Sequence, residues 1–336
     1  MALAPLSIAL SIKLWPLVDT PFKAKNKPFL VIFLESISIL VILISLPTIS
    51  TISLSNMKNY LELIRFFQPT GFILLFLASS FGIIFALHDQ NFNLEILRVT
   101  ILFLIGSFIM RSAGCIINDI IDRDFDKKVA RTKNRPITSG KISVPKALIF
   151  LAILLSIGLF IILQFNKLTI FLGLTSVIFI IFYPFCKRFT YYPQFILGIT
   201  FNFAILMSYG AIKNEINLSI ILLYFVGVIW TIIYDTIYCF SDIEDDLKVG
   251  IKSTSIKFSK NPKLILIILG LIKISLLSIV IAINNFYQAK FFMILLYLLF
   301  FIYQIKSLDI SNKEQCFKSF KINIINGILI LMILTN

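Results

Sequence analysis

Residues 96–126 read ILRVTILFLIGSFIMRSAGCIINDIIDRDFD. The first two thirds are apolar enough and long enough to cross a bilayer, which takes a helix of about 20 residues. The end is different, carrying Asn118, Asp119, Asp122, Asp124 and Asp126 in close succession. A span that stops on clustered carboxylates sets both the fold and the place of the chemistry. Similar apolar runs recur on either side: 66–87 before it, then 147–165, 168–185, 193–212, 218–238, 264–284, 291–304 and 322–335. With 96–117 these make nine spans. Backbone groups in lipid must be paired within their own segment, so runs of this length are helices. The expected fold is an all-α integral membrane protein of nine transmembrane helices.

Composition excludes other classes. Of 336 residues, 58% are hydrophobic and 14% charged, and 34 are Phe. A soluble domain carries about 25% charged residues, and disorder needs low hydrophobicity with high charge. One His leaves little room for imidazole chemistry. Cys115, Cys186, Cys239 and Cys316 are far apart, without metal-site or disulfide spacing.

The net charge of +14 raises the question of nucleic acid. Its distribution answers it. The alternate connections 118–146, 186–192, 239–263 and 304–321 hold eight, two, five and four Lys/Arg, nineteen together. The opposite connections hold Lys167, Lys213 and Lys290. Basic residues stay on the cytoplasmic side, so the long basic connections, with Lys58 and Arg65, face the cytoplasm. The charge is a topology signal, with no single basic face and no nucleic-acid reader motif.

Residues 1–56 fit this scheme poorly. Residues 1–19 are apolar but lack the basic start of a signal peptide. No Arg precedes Arg65, against a mitochondrial transit peptide. Residues 29–49 could span, yet this would place Lys23, Lys25 and Lys27 outside, against the charge rule. The expectation is an N-terminal extension of uncertain role, with the functional membrane domain at 57–336 beginning near Met57.

Acids beside membrane spans cost about 2.5–3.5 kcal/mol each at the bilayer centre and need a reason. On a wheel of about 100° per residue with Asn118 at zero, Asp122, Asp126 and Asp119 fall at about 40°, 80° and 100°. Arg111 lies at about 20°, two turns deeper, whereas Asp124 falls at about 240° and reads as a solvated loop acid. The sixth span ends alike, with Asp242, Glu244, Asp245 and Asp246. Against Asp242 at zero, Asp246 falls at about 40°, Asp245 at about 300° and Tyr238 at about 320°. Asp235 sits at about 20°, about 10 Å below. The two clusters are four helices apart, hinting at an internal repeat.

Clustered carboxylates repel unless cations bind. Hard oxygen ligands suit Mg²⁺, which keeps several waters and is usually shared with substrate phosphates. Lys127, Lys128, Arg131 and Arg135 follow the first cluster, Lys248 and Lys252 the second, and Lys187 and Arg188 lie on the connection between them. Metal with Arg and Lys is equipment for a polyphosphate leaving group. At the mouth of a helical bundle it implies a substrate with a polar head and an apolar tail. Loss of diphosphate leaves an allylic cation that must be kept from water, and Phe and Tyr side chains offer π faces to it.

The residues resemble the UbiA superfamily of intramembrane prenyltransferases. The family's N-D-x-x-D-x-x-x-D is Asn118-Asp119-x-x-Asp122-x-x-x-Asp126. R-T-x-x-R-P is Arg131-Thr132-Lys133-Asn134-Arg135-Pro136, and the second acidic motif is Asp242-x-x-x-Asp246. Matches to its hydroxybenzoate branch are residues 111–115 (RSAGC), 183–188 (YPFCKR), Pro193-Gln194, 234–238 (YDTIY) and 250–254 (GIKST). The resemblance covers about 57–336. It departs at residues 66–71 (FFQPTG), where the branch shows an acid and a Lys before the Pro.

The resemblance implies nine helices around a central cavity capped by cytoplasmic Asp-rich loops. It implies transfer of a polyprenyl group from polyprenyl diphosphate to the ring carbon ortho to the hydroxyl of 4-hydroxybenzoate, on the path to ubiquinone. Asn118, Asp122, Asp126, Asp242 and Asp246 would hold Mg²⁺ and the diphosphate, assisted by Asp119 and Asp245. The four aspartates other than Asp119 and Asp245 would be catalytic. Arg131, Arg135, Lys187, Arg188 and Lys252 would offset the leaving group's charge. Arg111 would receive the benzoate carboxylate, unless it only pairs with Asp235, while Asp235 or Tyr238 would orient the phenol. Ile, Phe, Lys and Asn richness without a transit peptide points to a bacterial inner membrane, with the mitochondrial one as alternative.

Rival readings are a haem O synthase or naphthoate prenyltransferase of the same superfamily, and a transporter with acids lining an ion path. Transporters tend to carry broken helices at the midplane. Here the acids gather at one face, which suits an enzyme mouth.

Overall fold

The computed structural model describes residues 54–129 and 131–335. Apart from residues 54–56, the expected extension and its candidate span therefore lie outside the described residues, and Met57 falls within the first described helix. The described chain begins with α1 (Leu54–Leu63), followed by α2 (Thr70–Ala86), α3 (Leu94–Ile121) and the single turn α4 (Arg123–Asp126). Next come α5 (Val144–Ile162), α6 (Lys167–Phe189), α7 (Pro193–Lys213) and α8 (Leu218–Phe240). After two short helices, α9 (Ile243–Val249) and α10 (Thr254–Lys257), the chain ends with α11 (Pro262–Ile283), α12 (Ala289–Ser307) and α13 (Lys313–Leu334).

Among the described residues, nine helices are long and apolar enough to cross a membrane: α2, α3, α5 to α8 and α11 to α13. Their starts carry chemical signals. Side chains of Asn93, Asn166, Asn217 and Asn312 accept from backbone N–H groups that the first turns of α3, α6, α8 and α13 leave unpaired. Pro193 and Pro262 open α7 and α11, where a missing N–H costs nothing.

The spanning helices pack each on the next around a closed circuit, α13 returning to α2. α7 also packs on α2, and α8 on α13, making α2, α7 and α8 the inner helices. Small side chains permit this approach. A Cβ on Gly82 of α2 would strike the α7 backbone, and Ser208 of α7 donates to the Ser79 carbonyl of α2 at 2.7 Å. α5 and α6 are the least covered, presenting Ile149, Phe160, Phe171 and Ile178 outward, as lipid-facing helices do.

Two boundaries differ instructively from the apolar runs. α13 begins at Lys313 rather than at 322, and α12 extends from Ala289 to Ser307. Hydropathy registers only the part in hydrocarbon, whereas the Asn312 cap and the polar turn after it extend α13 beyond that layer.

Candidate active site

α3 and α8 end alike. Each breaks at an aspartate with near-zero ψ, Asp122 (φ −89°, ψ 3°) and Asp242 (φ −112°, ψ 2°), and a short helix follows. The helical register survives the break. Asp126 N–H donates to the Asp122 carbonyl at 2.8 Å, and Asp246 N–H to the Asp242 carbonyl at 2.9 Å. The acidic face expected across 118–126 therefore exists although the helix is interrupted.

The two clusters meet. Arg131, five residues beyond the first cluster, forks onto Asp242 of the second, with Nε at 3.0 Å and Nη2 at 2.6 Å from the two carboxylate oxygens. Lys187, at the end of α6, donates to Asp122 at 3.0 Å and to Asn118 Oδ1 at 3.3 Å. Arg135 bridges Asp126 at 2.7 Å and Asp119 at 3.1 Å. Burial pushes the Asp126 carboxyl above the usual carboxylate range, Arg135 working against this and Asp119 with it. Burial, then the charge of Asp242, push Asp246 up to about 6.

Other predicted residues are placed differently. Asp119 is 1% exposed and held from two sides, bidentately by Arg65 Nη2 at 2.7 and 2.8 Å and by Arg135. Arg65 had figured only as a topology charge. It sits in the left-handed region (φ 59°) after α1, 54 positions from its partner, and no periodicity reveals the pairing. Arg188 donates to the Ile121 carbonyl at 3.2 Å and lies over Phe125 and Phe185, bracing the end of α3. Lys252 Nζ reaches the Phe189 carbonyl at 3.3 Å, over the Tyr191 ring. Asp245 is 3.9 Å from Lys248. Asp124 is exposed and paired with Arg123 and Lys127, as a solvated loop acid should be.

Below the carboxylates, Arg111 lies 5.8 Å over the Phe201 ring. No hydrogen bond or ion pair within 4 Å to its guanidinium is found among the described residues, although Asp235 is near enough to feel its charge. Asp235 instead faces Cys239 Sγ at 3.9 Å. The Tyr238 ring lies under Arg131 at 5.6 Å and against Phe317 and Phe320. A guanidinium in a membrane interior without a carboxylate in contact is a candidate site for an anion.

Gly71 of α2 makes room for it. A Cβ there would come within 2.5 Å of Arg111 Nε and 2.9 Å of Nη2. The obstructed group is the end of a flexible side chain, so the side chain yields and the backbone need not. Gly71→Ala is expected to insert normally and to raise KM for the aromatic acceptor by about tenfold, one charge-assisted hydrogen bond's worth. Steady-state kinetics with each substrate varied checks this; an unchanged acceptor KM refutes it.

Among the described residues, no three His, Cys, Asp or Glu side chains converge as a closed metal site. A Mg²⁺ ion does not need one. It is held by one or two carboxylates, waters and substrate phosphate. The buried and partly buried carboxylates from two directions fit that mode.

Residues 72–326 match the UbiA prenyltransferase family. The chain is 36% identical to a 4-hydroxybenzoate octaprenyltransferase of Tolumonas auensis, over 81% of this chain and 94% of that one. It is 40% identical to a mitochondrial 4-hydroxybenzoate polyprenyltransferase of Dictyostelium discoideum, over 83% and 60%. A UbiA homologue from Archaeoglobus fulgidus, solved with GPP and Mg²⁺, shares the fold at 20% identity and TM-score 0.62, over 82% and 99%. Acidic motifs brought together at one end of nine helices, and these likenesses over most of the chain, lead to one conclusion: the chain belongs to the UbiA prenyltransferase family.

Proposed function

We propose that this chain transfers a polyprenyl group from polyprenyl diphosphate to the ring carbon ortho to the hydroxyl of 4-hydroxybenzoate, releasing diphosphate, as a step of ubiquinone synthesis in a bacterial inner membrane. The observation that carries the reading is the pairing of Arg131 with Asp242 and of Lys187 with Asp122, with the unpartnered Arg111 deeper on the same face. The names of the 36% and 40% identical relatives support the acceptor.

Asp122, Asp126, Asp242 and Asp246, with Asn118, would hold Mg²⁺, which when bound neutralises charge on the departing diphosphate. The chain's own residues do the rest. Arg131 and Lys187 are spoken for by carboxylates in the resting site. With the cation bound, Asp242 and Asp122 would hold it, and Arg131 and Lys187 would be free to turn to phosphate oxygens. Arg135 stays with Asp119, which Arg65 anchors. Arg111 receives the benzoate carboxylate and fixes which ring carbon faces the prenyl carbon as the C–O bond breaks. That ring carbon attacks the allylic cation, and the proton it carries departs as the ring regains aromaticity, which needs no strong base. Tyr238 and the inward Phe side chains exclude water from the cation.

The test is a membrane assay of the expressed chain with labelled polyprenyl diphosphate and Mg²⁺, offering 4-hydroxybenzoate, dihydroxynaphthoate and haem separately. Product with 4-hydroxybenzoate alone is expected. Product only with dihydroxynaphthoate or haem would move the chain to another branch of the family.

A further inference from the structure

Gln194, in the first turn of α7, is 2% exposed and belongs to neither acidic motif. Its amide makes contacts on two sides. Nε2 donates to Cys239 Sγ at 3.1 Å, and that sulfur in turn faces an Asp235 carboxylate oxygen at 3.9 Å. Oε1 accepts the backbone N–H of Thr254 at 3.0 Å, a contact spanning 60 positions. A glutamine using both ends of its amide in a buried setting fixes two segments against each other, because neither end can be released without leaving a buried polar group unpaired.

The segment held at Thr254 is tied to the diphosphate end. Thr254 Oγ1 meets Thr236 Oγ1 at 2.6 Å. Ile251 N–H donates to the Asp246 carbonyl at 3.0 Å. Lys252 N–H donates to the Lys187 carbonyl at 3.0 Å. Residues 251–254 therefore clasp Asp246 of the second motif and the residue that pairs with Asp122 of the first. The segment held by the other end of the Gln194 amide carries Asp235 and Cys239, on the face of α8 near Arg111 and Tyr238.

We infer that Gln194 is a positioning residue that couples the two substrate sites: through the Thr254 clasp, occupation of the diphosphate end fixes the Asp235 wall of the acceptor site, and the reverse. This rests on the reading of the function given above. Gln194 touches neither substrate. It acts by making the clasp and the α8 wall one hydrogen-bonded unit, so ordering imposed by one ligand lowers what the second must order. Coupling of this kind is reciprocal.

The experiment measures binding, apart from turnover. The dissociation constant of 4-hydroxybenzoate for the full chain in detergent is determined with and without pyrophosphate and Mg²⁺. Wild type is expected to bind it about fivefold more tightly with them present, at the modest end of known couplings. Gln194→Met keeps length and volume but offers neither N–H nor C=O, and the factor is expected to fall to about 1. Should that variant fail to insert, Thr236→Val cuts the same clasp at its hydroxyl bond and is expected to bring the factor below about 2. A wild-type chain that turns over 4-hydroxybenzoate but binds it equally with and without pyrophosphate overturns the coupling alone, as does an unchanged factor in either variant. A wild-type chain inactive on the hydroxybenzoate acceptor overturns the parent reading, and this inference with it.

Discussion

Asp122→Ala and Asp242→Ala chains are expected to reach the membrane and to lose prenyl transfer by about a thousandfold or more, the loss that follows removal of a principal electrostatic contact in a preorganised site. The two positions are far apart in sequence, yet each ends a spanning helix in the same backbone conformation and each is held by a cation from another segment, Lys187 for one and Arg131 for the other. Removing either carboxylate leaves a metal–diphosphate unit gripped from one side. It also strands a cation, most seriously Lys187, whose side chain is 24% exposed. Loss of folding could then pass for loss of catalysis, so Asp122→Asn and Asp242→Asn are the paired controls. Asn retains an oxygen for Lys187 or Arg131 but not the negative charge. Equal loss in Asn and Ala chains, with wild-type amounts in the membrane and excess Mg²⁺, identifies the charge as the essential property. Normal turnover in both Asn chains would remove the metal assignment.

The sequence carried what depends on near neighbours. Length and apolarity located every described span, because a bilayer of fixed thickness demands them of each helix separately. The wheel grouped Asn118, Asp119, Asp122 and Asp126 correctly although the helix breaks at Asp122, since the i to i+4 hydrogen bond bridges the break. The wheel could not divide that group by role. It gave Asp119 and Asp122 equal standing, whereas Arg65 and Arg135 enclose Asp119 and leave Asp122 at the mouth with Lys187. Such distinctions come from contacts across the circuit of helices. Arg65 to Asp119 spans 54 positions and Arg131 to Asp242 spans 111. Charge type alone also put Arg188 with the phosphate ligands, while its geometry gives it to the Ile121 carbonyl and two Phe rings.

Gln194 shows the same limit from another side. Its neighbours in sequence, Pro193 and Phe195, indicate only the start of a helix. The role argued for it comes from Cys239 and Thr254, one on the next spanning helix and the other in the connection that follows it. Acidic motifs are legible because several groups of one kind crowd a short stretch. A single amide leaves no such mark: Pro193-Gln194 stands out only as a match to the hydroxybenzoate branch, and nothing beside it in sequence names the two distant segments it joins.

Replacing Arg111 by Ala is expected to raise KM for 4-hydroxybenzoate by about a hundredfold while leaving KM for polyprenyl diphosphate within about twofold, the asymmetry following from the loss of one buried charge pair made by one substrate only. The position decides this. Arg111 lies two turns below Asn118 on the same face of α3, away from the carboxylates that hold the leaving group, and its guanidinium has the Phe201 ring beneath it and Gly71 against it. An arginine that merely closed an ion pair with Asp235 would behave otherwise, and among the described residues no contact within 4 Å joins the two, the Asp235 oxygen facing Cys239 Sγ instead. A carboxylate arriving with the acceptor would then be the missing counterion, and an acceptor lacking the carboxylate gains nothing from Arg111. The discriminating comparison is therefore phenol against 4-hydroxybenzoate in wild-type and Arg111→Ala chains. The preference for the carboxylated ring should collapse in the variant, by loss of the better substrate and with no gain in the poorer one. Equal increases in KM for both the prenyl donor and the acceptor would return Arg111 to a structural role, and would require some other cation to meet the benzoate.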